Sequence, residues 1–271
     1  MILWLCSFPK SGNTWLRSLI SCYLDDDKNK TVFEKIKKIE RFPSPAHFKG
    51  VLNFDILKDN ELEICKYWIS AQEKINNSSE FKILKTHNFG GSQKGNWFTN
   101  SENTCGFIYI VRDPRSVAVS YAHHINIPFE KSVEIICNEN QFETTEKNLI
   151  EIRSSWKVNY LSWKNRDFPK LIIKYEDLFL NTFDVFSKIL KFLGNFKEVK
   201  IETNKINDTI TTCSFESLSR LENLVGFNER EGRESFFRKG LINEWEKSLS
   251  KDLIKKIENS FKDEMISLGY L

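Results

Sequence analysis

Glycine-rich phosphate loops, paired cysteines and long apolar stretches are all missing from this chain, and each absence removes a class of protein. Only 11 glycines and six prolines occur in 271 residues, too few for a collagen-like or low-complexity chain. The six cysteines, Cys6, Cys22, Cys65, Cys105, Cys137 and Cys213, are scattered with no CxxC and no tight Cys/His spacing. That usage fits reduced, buried thiols better than a disulfide framework or a zinc site. No run approaches the ~20 apolar residues needed to span a bilayer. The apolar stretch after Met1 is short and enters a polar turn directly, so no secretory leader is legible and the expected location is cytoplasmic. Charge of one sign is lacking too. Forty basic and 37 acidic residues leave a net +3, without the concentrated basic face of a nucleic-acid binder.

What is present is enough for a substantial core. Hydrophobic residues make up 40% and aromatics 13%, which argues against disorder. The length favours one large α/β domain over 1–271. Apolar runs at 2–8, 81–85, 106–111 and 171–175 read as strands. Helical spacing appears at Trp15, Leu16, Leu19, Ile20 and Tyr23, and again over 61–75, 145–165, 183–193 and 253–268. Strands alternating with helices imply a parallel sheet covered on both faces. A helix should also begin at Pro114, because Asp113 is a good N-cap and proline suits the first helical position. Pro43 and Pro45 mark 41–58 as loop. Asp25 to Lys30 reads as a solvated turn, and the charged, aromatic stretch 225–240 as a long functional loop.

Between the first strand and the first helix lies Pro9-Lys10-Ser11-Gly12-Asn13-Thr14. Strand, tight polar turn and helix is the geometry in which backbone N–H groups and a helix N-terminus cradle a phosphate. It is not the nucleotide P-loop, whose lysine follows the last glycine and precedes Ser or Thr; here Lys10 comes before Gly12. No strand ends in an aspartate placed for Mg²⁺, since Asp113 is better explained as a cap. The expected ligand therefore bears phosphate and is handled by protein cations, with no metal. Arg112 closes a strand where ligand crevices form in open α/β sheets, and a guanidinium can grip a phosphate bidentately. Ser120 lies about two helical turns further on. Lys85-Thr86-His87 follows another strand end, and Arg238-Lys239-Gly240, with Trp245 beyond, forms a basic lid. Taken singly, each has an ordinary reading as surface arginine, solvated histidine or basic loop. Together they describe one site.

In this order the motifs resemble the PAPS-dependent sulfotransferase family, nearly end to end. Pro9-Lys10-Ser11-Gly12-Asn13-Thr14-Trp15 is similar to the family's 5′-phosphosulfate loop, PKSGTTW, with Asn13 replacing a threonine. Arg112 through Ser120 resembles its 3′-phosphate motif, Tyr175-Glu176-Asp177-Leu178 its YEDL segment, and Arg238-Lys239-Gly240 with Trp245 its RKGxxxxW. The resemblance implies a P-loop-like sulfotransferase fold using 3′-phosphoadenylyl sulfate (PAPS) and releasing adenosine 3′,5′-bisphosphate (PAP). It implies that Lys10, Ser11, Gly12, Asn13 and Thr14 hold the 5′ end, that Trp15, Tyr175, Ser214 and Phe215 lie toward the adenine, and that Arg112, Ser120, Arg238, Lys239 and Gly240 secure the 3′-phosphate. His87 would then be the general base, with Lys10 and Lys85 stabilising the charge that grows on the leaving oxygen.

The match departs from the family in three places. Cys213 precedes Ser214 and Phe215 where a threonine is usual, Asn243-Glu244-Trp245 replaces Gly-Asp-Trp, and WEKSLSKDLIKKIE lacks the dimerisation motif of cytosolic animal members. The oligomeric state is thus left open. The expected partner is a small-molecule acceptor, with no nucleic acid and no membrane span. Phe42, Phe48, Phe89, Trp97, Phe98 and Phe129 are candidates for an apolar acceptor pocket, with core packing as the ordinary alternative, and His123 and His124 are further candidates near it. An ATP-dependent P-loop small-molecule kinase and a non-catalytic nucleotide-binding protein are the competing readings.

Overall fold

A computed structural model describes residues 1–78, 80–144, 149–230 and 234–271. Its centre is a parallel sheet of β1 (Ile2–Cys6), β2 (Lys82–Thr86), β3 (Thr104–Val111) and β4 (Lys170–Lys174), hydrogen-bonded in the order β2-β1-β3-β4. Leu5 pairs with Lys85 on one side and with Ile108 on the other. The pleat divides each strand between two cores. Leu3, Leu5, Ile108, Ile110 and Ile173 pack on one face, and Trp4, Cys6, Phe107, Tyr109 and Val111 on the other.

Helices cover both faces, as a doubly buried parallel sheet requires. The Leu3/Ile108 side is covered by α1 (Asn13–Leu24) through Leu16, Leu19 and Ile20. The opposite side receives α2 (Trp68–Asn76) through Trp68, α3 (Pro114–Ile125) through Val117 and Ala118, and α4 (Phe129–Cys137) through Val133 and Ile136. It also receives α5 (Trp156–Lys164), which inserts Trp156, Tyr160 and Trp163. On the first side again lie α6 (Thr182–Leu193), α7 (Thr203–Thr212) and α8 (Phe215–Val225), through Phe186, Ile206 and Leu218. α9 (Lys251–Ser260) adds Ile257 to the opposite core. Each fully buried Leu- or Phe-sized side chain contributes roughly 1.5–3 kcal/mol. No helix among the described residues is long and apolar enough to cross a membrane.

Several local expectations change. The helix expected over 145–165 is α5 alone. Ile150–Ile152 is instead a strand paired antiparallel with Phe142–Thr144, while 145–148 lie outside the described residues. The three-and-four spacing of Leu149, Ile152 and Trp156 thus crosses a strand-to-helix junction. Ser155 marks that junction, since its hydroxyl caps α5 by accepting from the Val158 N–H at 3.3 Å. The 41–58 loop holds a short helix at Pro45–Phe48 and a 3-10 helix at Phe54–Lys58. The 61–75 helix starts as a 3-10 helix, Glu61–Tyr67, before α2, and the 253–268 helix is broken at Phe261 into α9 and Lys262–Ser267. Asp25 is buried rather than solvated, ion-paired to Lys38 at 2.8 Å. In 226–230 and 234–240 there is neither helix nor strand.

The topology selects the crevice. The chain leaves β1 for β2 on one flank and then crosses to β3 on the other. Strand order reverses there, so the carboxyl ends of β1 and β3 open a gap, the usual ligand position in such sheets.

Trp163 tests the packing. It is fully buried, and its indole N–H donates to the Asn88 carbonyl at 2.8 Å. Trp163→Ala is expected to destabilise the fold by about 3–5 kcal/mol in urea unfolding.

Candidate active site

The turn after β1 is shaped by two left-handed residues, Lys10 at φ +66° and Gly12 at φ +98°. A Cβ on Gly12 would stand 2.5 Å from Tyr175 Cδ2, so both conformation and space demand glycine here. Gly12 is also the N-cap of α1 and offers no side-chain cap, which leaves the first-turn N–H groups open to an anion. The Ser11 hydroxyl is buried without a partner. Asn13 ties the turn to β1 by donating to the Leu5 carbonyl at 3.1 Å and to Ser7 Oγ at 3.2 Å. Trp15 donates from its indole to the Cys213 carbonyl at 2.9 Å and meets Tyr175 edge-on. Cys213 thus meets Trp15 through its backbone carbonyl, and its thiol is buried.

Arg112, at the end of β3, donates to the Lys10 carbonyl at 3.1 Å and the Leu241 carbonyl at 3.0 Å, and its guanidinium lies 4.3 Å from the Tyr175 ring centre. It therefore joins the turn, the YEDL segment and the lid. Asp113 is spent as the α3 cap, accepting from the Arg115 N–H at 2.8 Å, and as the ion-pair partner of Arg115 at 2.7 Å. Arg238 and Lys239 both bind Glu244, the latter at 2.8 Å. Burial opposes ionisation of Glu244, but the hydrogen bonds from these two cations bring its carboxyl down to about 2. Gly240 turns at φ +58°, and a Cβ there would collide with the Phe215 ring. Ser214 caps α8 by accepting from the Ser217 N–H at 3.2 Å. Trp245 stacks on Arg115, 3.8 Å from its guanidinium carbon, and anchors the lid from outside the cavity.

Beside the turn, at the end of β2, stand Lys85 and His87. His87 Nδ1 lies 2.8 Å from the Ser7 carbonyl and 3.1 Å from Ser7 Oγ. A carbonyl only accepts, so Nδ1 carries the proton and Nε2 holds the lone pair. Burial, reinforced by the Lys85 charge, pushes the imidazole well below its ordinary pKa. Burial likewise lowers Lys85 to about 8, against the attraction of Glu229. The backbone around His87 is pinned by Glu151, which accepts its N–H at 2.8 Å, and by Asn159, which donates to its carbonyl at 2.9 Å.

One cavity of about 490 Å³ collects Lys10, Gly12, Asn13, Thr14, Trp15, Lys85, His87, Arg112, Ser120, Tyr175, Ser214, Phe215 and Arg238 to Gly240. Of the expected site residues only Ser11 is set behind its wall. Sequence reasoning missed Glu229, whose carboxylate accepts from Thr14 Oγ1 at 3.1 Å and Arg17 Nη1 at 2.6 Å and lies 3.6 Å from Lys85 Nζ. Burial would raise this carboxyl, yet the Lys85 and Arg17 charges hold it far below the carboxylate range. It also missed Arg41, Glu143 and Arg153, which line the same cavity. Their only signal was three charged residues beside apolar ones, which any surface could carry. Phe42, Phe48 and Phe98 lie fully in the core, Phe89 and Trp97 line a different cavity, and Phe129 meets the half-exposed His123 edge-on. His124 faces the main cavity.

The open parallel α/β sheet thus carries two separate cationic places at its switch point, the strand-turn-helix at Lys10 to Thr14 and the group of Arg112, Arg238 and Lys239. The family model for the sulfotransferase domain matches residues 2–269. Similar curated proteins include flavonol 3-sulfotransferase of Flaveria bidentis, 27% identical over 98% of this chain and 82% of that protein. Cytosolic sulfotransferase 13 of Arabidopsis thaliana is 28% identical over 98% and 77%, and luciferin sulfotransferase of Photinus pyralis 26% over 94% and 69%. Among solved structures, mouse sulfotransferase SULT7A1 complexed with PAP superposes with a TM-score of 0.64 at 22% identity, over 97% of this chain and 84% of that one. The chain belongs to the sulfotransferase-domain family and is a sulfotransferase.

The state of His87 is directly measurable. In ring-nitrogen NMR it should appear as the neutral Nδ1–H tautomer and remain neutral as pH falls through the ordinary histidine value of roughly 6.5. A titration at or above that value would contradict the buried, cation-flanked setting.

Proposed function

We propose that the enzyme transfers a sulfuryl group from PAPS to a hydroxyl or amine of a small-molecule acceptor and releases PAP. The observation that carries this reading is the convergence, on one cavity, of two separate anion grips and a neutral imidazole. A donor with a 5′-phosphosulfate and a 3′-phosphate needs both grips. The residues fit such a group: Arg112 lines the cavity with a buried Nε that has no partner, and the Glu229 carboxylate already sits as an anion on Thr14, Arg17 and Lys85.

In this reading the turn 10–14 and its N–H groups hold the 5′ end, and Arg112, Ser120, Arg238, Lys239 and Gly240 hold the 3′-phosphate. Trp15 and Tyr175, with Ser214 and Phe215, form the adenine side. The donor supplies an activated sulfur. The acceptor oxygen forms a bond to that sulfur, the bond from sulfur to the bridging oxygen breaks, and its electron pair stays on the departing phosphate. His87 takes the acceptor's proton at Nε2, with Nδ1–H fixed on the Ser7 carbonyl. Its depressed pKa keeps the lone pair available at neutral pH and below. Lys10 and Lys85 place positive charge against the oxygen that becomes negative, which is often the largest single contribution to catalysis. The 1–271 chain is proposed to act as one catalytic domain, in the cytoplasm like the relatives named cytosolic sulfotransferases.

Thermal-shift measurements test the donor. PAP alone, without Mg²⁺, should raise the melting temperature; stabilisation only by ATP with Mg²⁺ would instead support a small-molecule kinase. His87→Ala should keep this PAP shift yet lose about 10²- to 10⁴-fold in turnover. Unchanged turnover in that variant would remove His87 from the base role.

A further inference from the structure

The part of the cavity around His87 that the donor grips leave over has an unexpected wall. Arg41 is held beside Lys85 by a parallel bridge, with the Phe42 N–H donating to the Lys85 carbonyl and the Lys85 N–H to the Glu40 carbonyl, both at 2.8 Å. Its guanidinium donates to Glu143 at 2.7 Å and to Glu151 at 2.5 Å. Arg153 binds the same Glu143 oxygen and donates to the Tyr121 hydroxyl at 2.9 Å. Glu151, fully buried, closes the ring back onto the His87 N–H. Arg41, Tyr121, His124, Glu143 and Arg153 all line the cavity, whereas none of the aromatics that the sequence offered as pocket candidates does so.

The charges of this ring cancel, two guanidinium groups against two carboxylates. It therefore offers donors and acceptors together without selecting an ion of either sign. Arg41 and Glu143 keep 33% and 25% of their side-chain surface open, so both kinds of group face the cavity. A flat apolar acceptor seated there would strip water from charged groups and return no hydrogen bonds, which disfavours it. A molecule with several hydroxyls both donates and accepts and can satisfy them, with Phe236 and Tyr121 as apolar surface for its carbon frame. Burial and the Lys10, Arg153 and Lys85 charges bring His124 down to about 3, so it enters this wall as a neutral imidazole with one donor and one acceptor.

Resting on the sulfotransfer reading above, we propose that the acceptor is a small neutral polyhydroxylated molecule, a saccharide or polyol, oriented by Arg41, Glu143 and Arg153. One of its hydroxyls is presented to His87 Nε2, forms the bond to sulfur and becomes a sulfate ester.

The test uses the full chain with PAPS and two sets of acceptors, methyl glucoside, N-acetylglucosamine and inositol in one and 2-naphthol and 4-nitrophenol in the other. Product is read by mass spectrometry, and PAP binding is measured separately by calorimetry. At least one polyhydroxylated acceptor should exceed both phenols in kcat/KM by about 100-fold, in the range open to sites that hydrogen-bond their substrate. Arg41→Met should remove most of that preference, chiefly through KM, with PAP affinity unchanged. Because Arg41 also neutralises Glu151, Glu143→Gln serves as a second variant at a partly exposed position and should narrow the preference about tenfold. Preference for a phenol, turnover of neither set, or an unchanged ratio in both variants, each with PAP still bound, overturns the acceptor assignment and leaves sulfotransfer standing. Failure of PAP to bind removes the sulfotransfer reading instead.

Discussion

Glu151 has no exposed side-chain surface and yet is ionised, because the Arg41 and Arg153 charges, with the hydrogen bond from the His87 backbone N–H, outweigh the burial that would neutralise it. A charge so placed is tolerable only when it is paired and hydrogen-bonded on every side. That requirement dictates much of its surroundings. One oxygen takes the His87 N–H and so fixes the backbone that carries the proposed base; the other takes Arg41 and lies 3.7 Å from Arg153 Nε. The paired strands Phe142–Thr144 and Ile150–Ile152, the edge segment at Arg41 and the end of β2 are thereby tied to one carboxylate. Removing it would leave two guanidinium groups short of partners beside His87.

The donor half depends on a different constraint, space. Gly12 is pressed on Tyr175, Tyr175 on Trp15 and Arg112, and Gly240 on Phe215. Cores resist added volume because little can move aside. The two glycines both line the cavity, and both also hold a positive φ.

Much of this was legible in the chain. The four strands were readable because a parallel strand buried on both faces is a short apolar run with little else to be. The turn after β1 was readable because a phosphate cradle is local, made by consecutive residues such as Lys10 to Thr14. The ring of Arg41, Glu143, Glu151 and Arg153 was not, since its members meet only through the fold, and a buried ion pair leaves no periodicity. The aromatics were open for the same reason: of their two readings, pocket and core, Phe42 and Phe98 take the second and pack into the core against Trp4. The helix expected over 145–165 failed where Leu149 and Ile152 continue by chance the spacing that Trp156 begins.

Glu229 and Glu244 give the resting enzyme a further property. Each cationic grip holds a carboxylate from the chain's own 225–244 region, Glu229 on Thr14, Arg17 and Lys85, and Glu244 on Arg238 and Lys239. The protein thus carries its own counterions. For the donor proposed above, entry would be an exchange of one set of fixed anions for another rather than a neutralisation of bare charge, and affinity would report the difference between two ionic arrangements. Product release would return the carboxylates to their cations, so that the residues assigned to the leaving anion regain a partner as it departs.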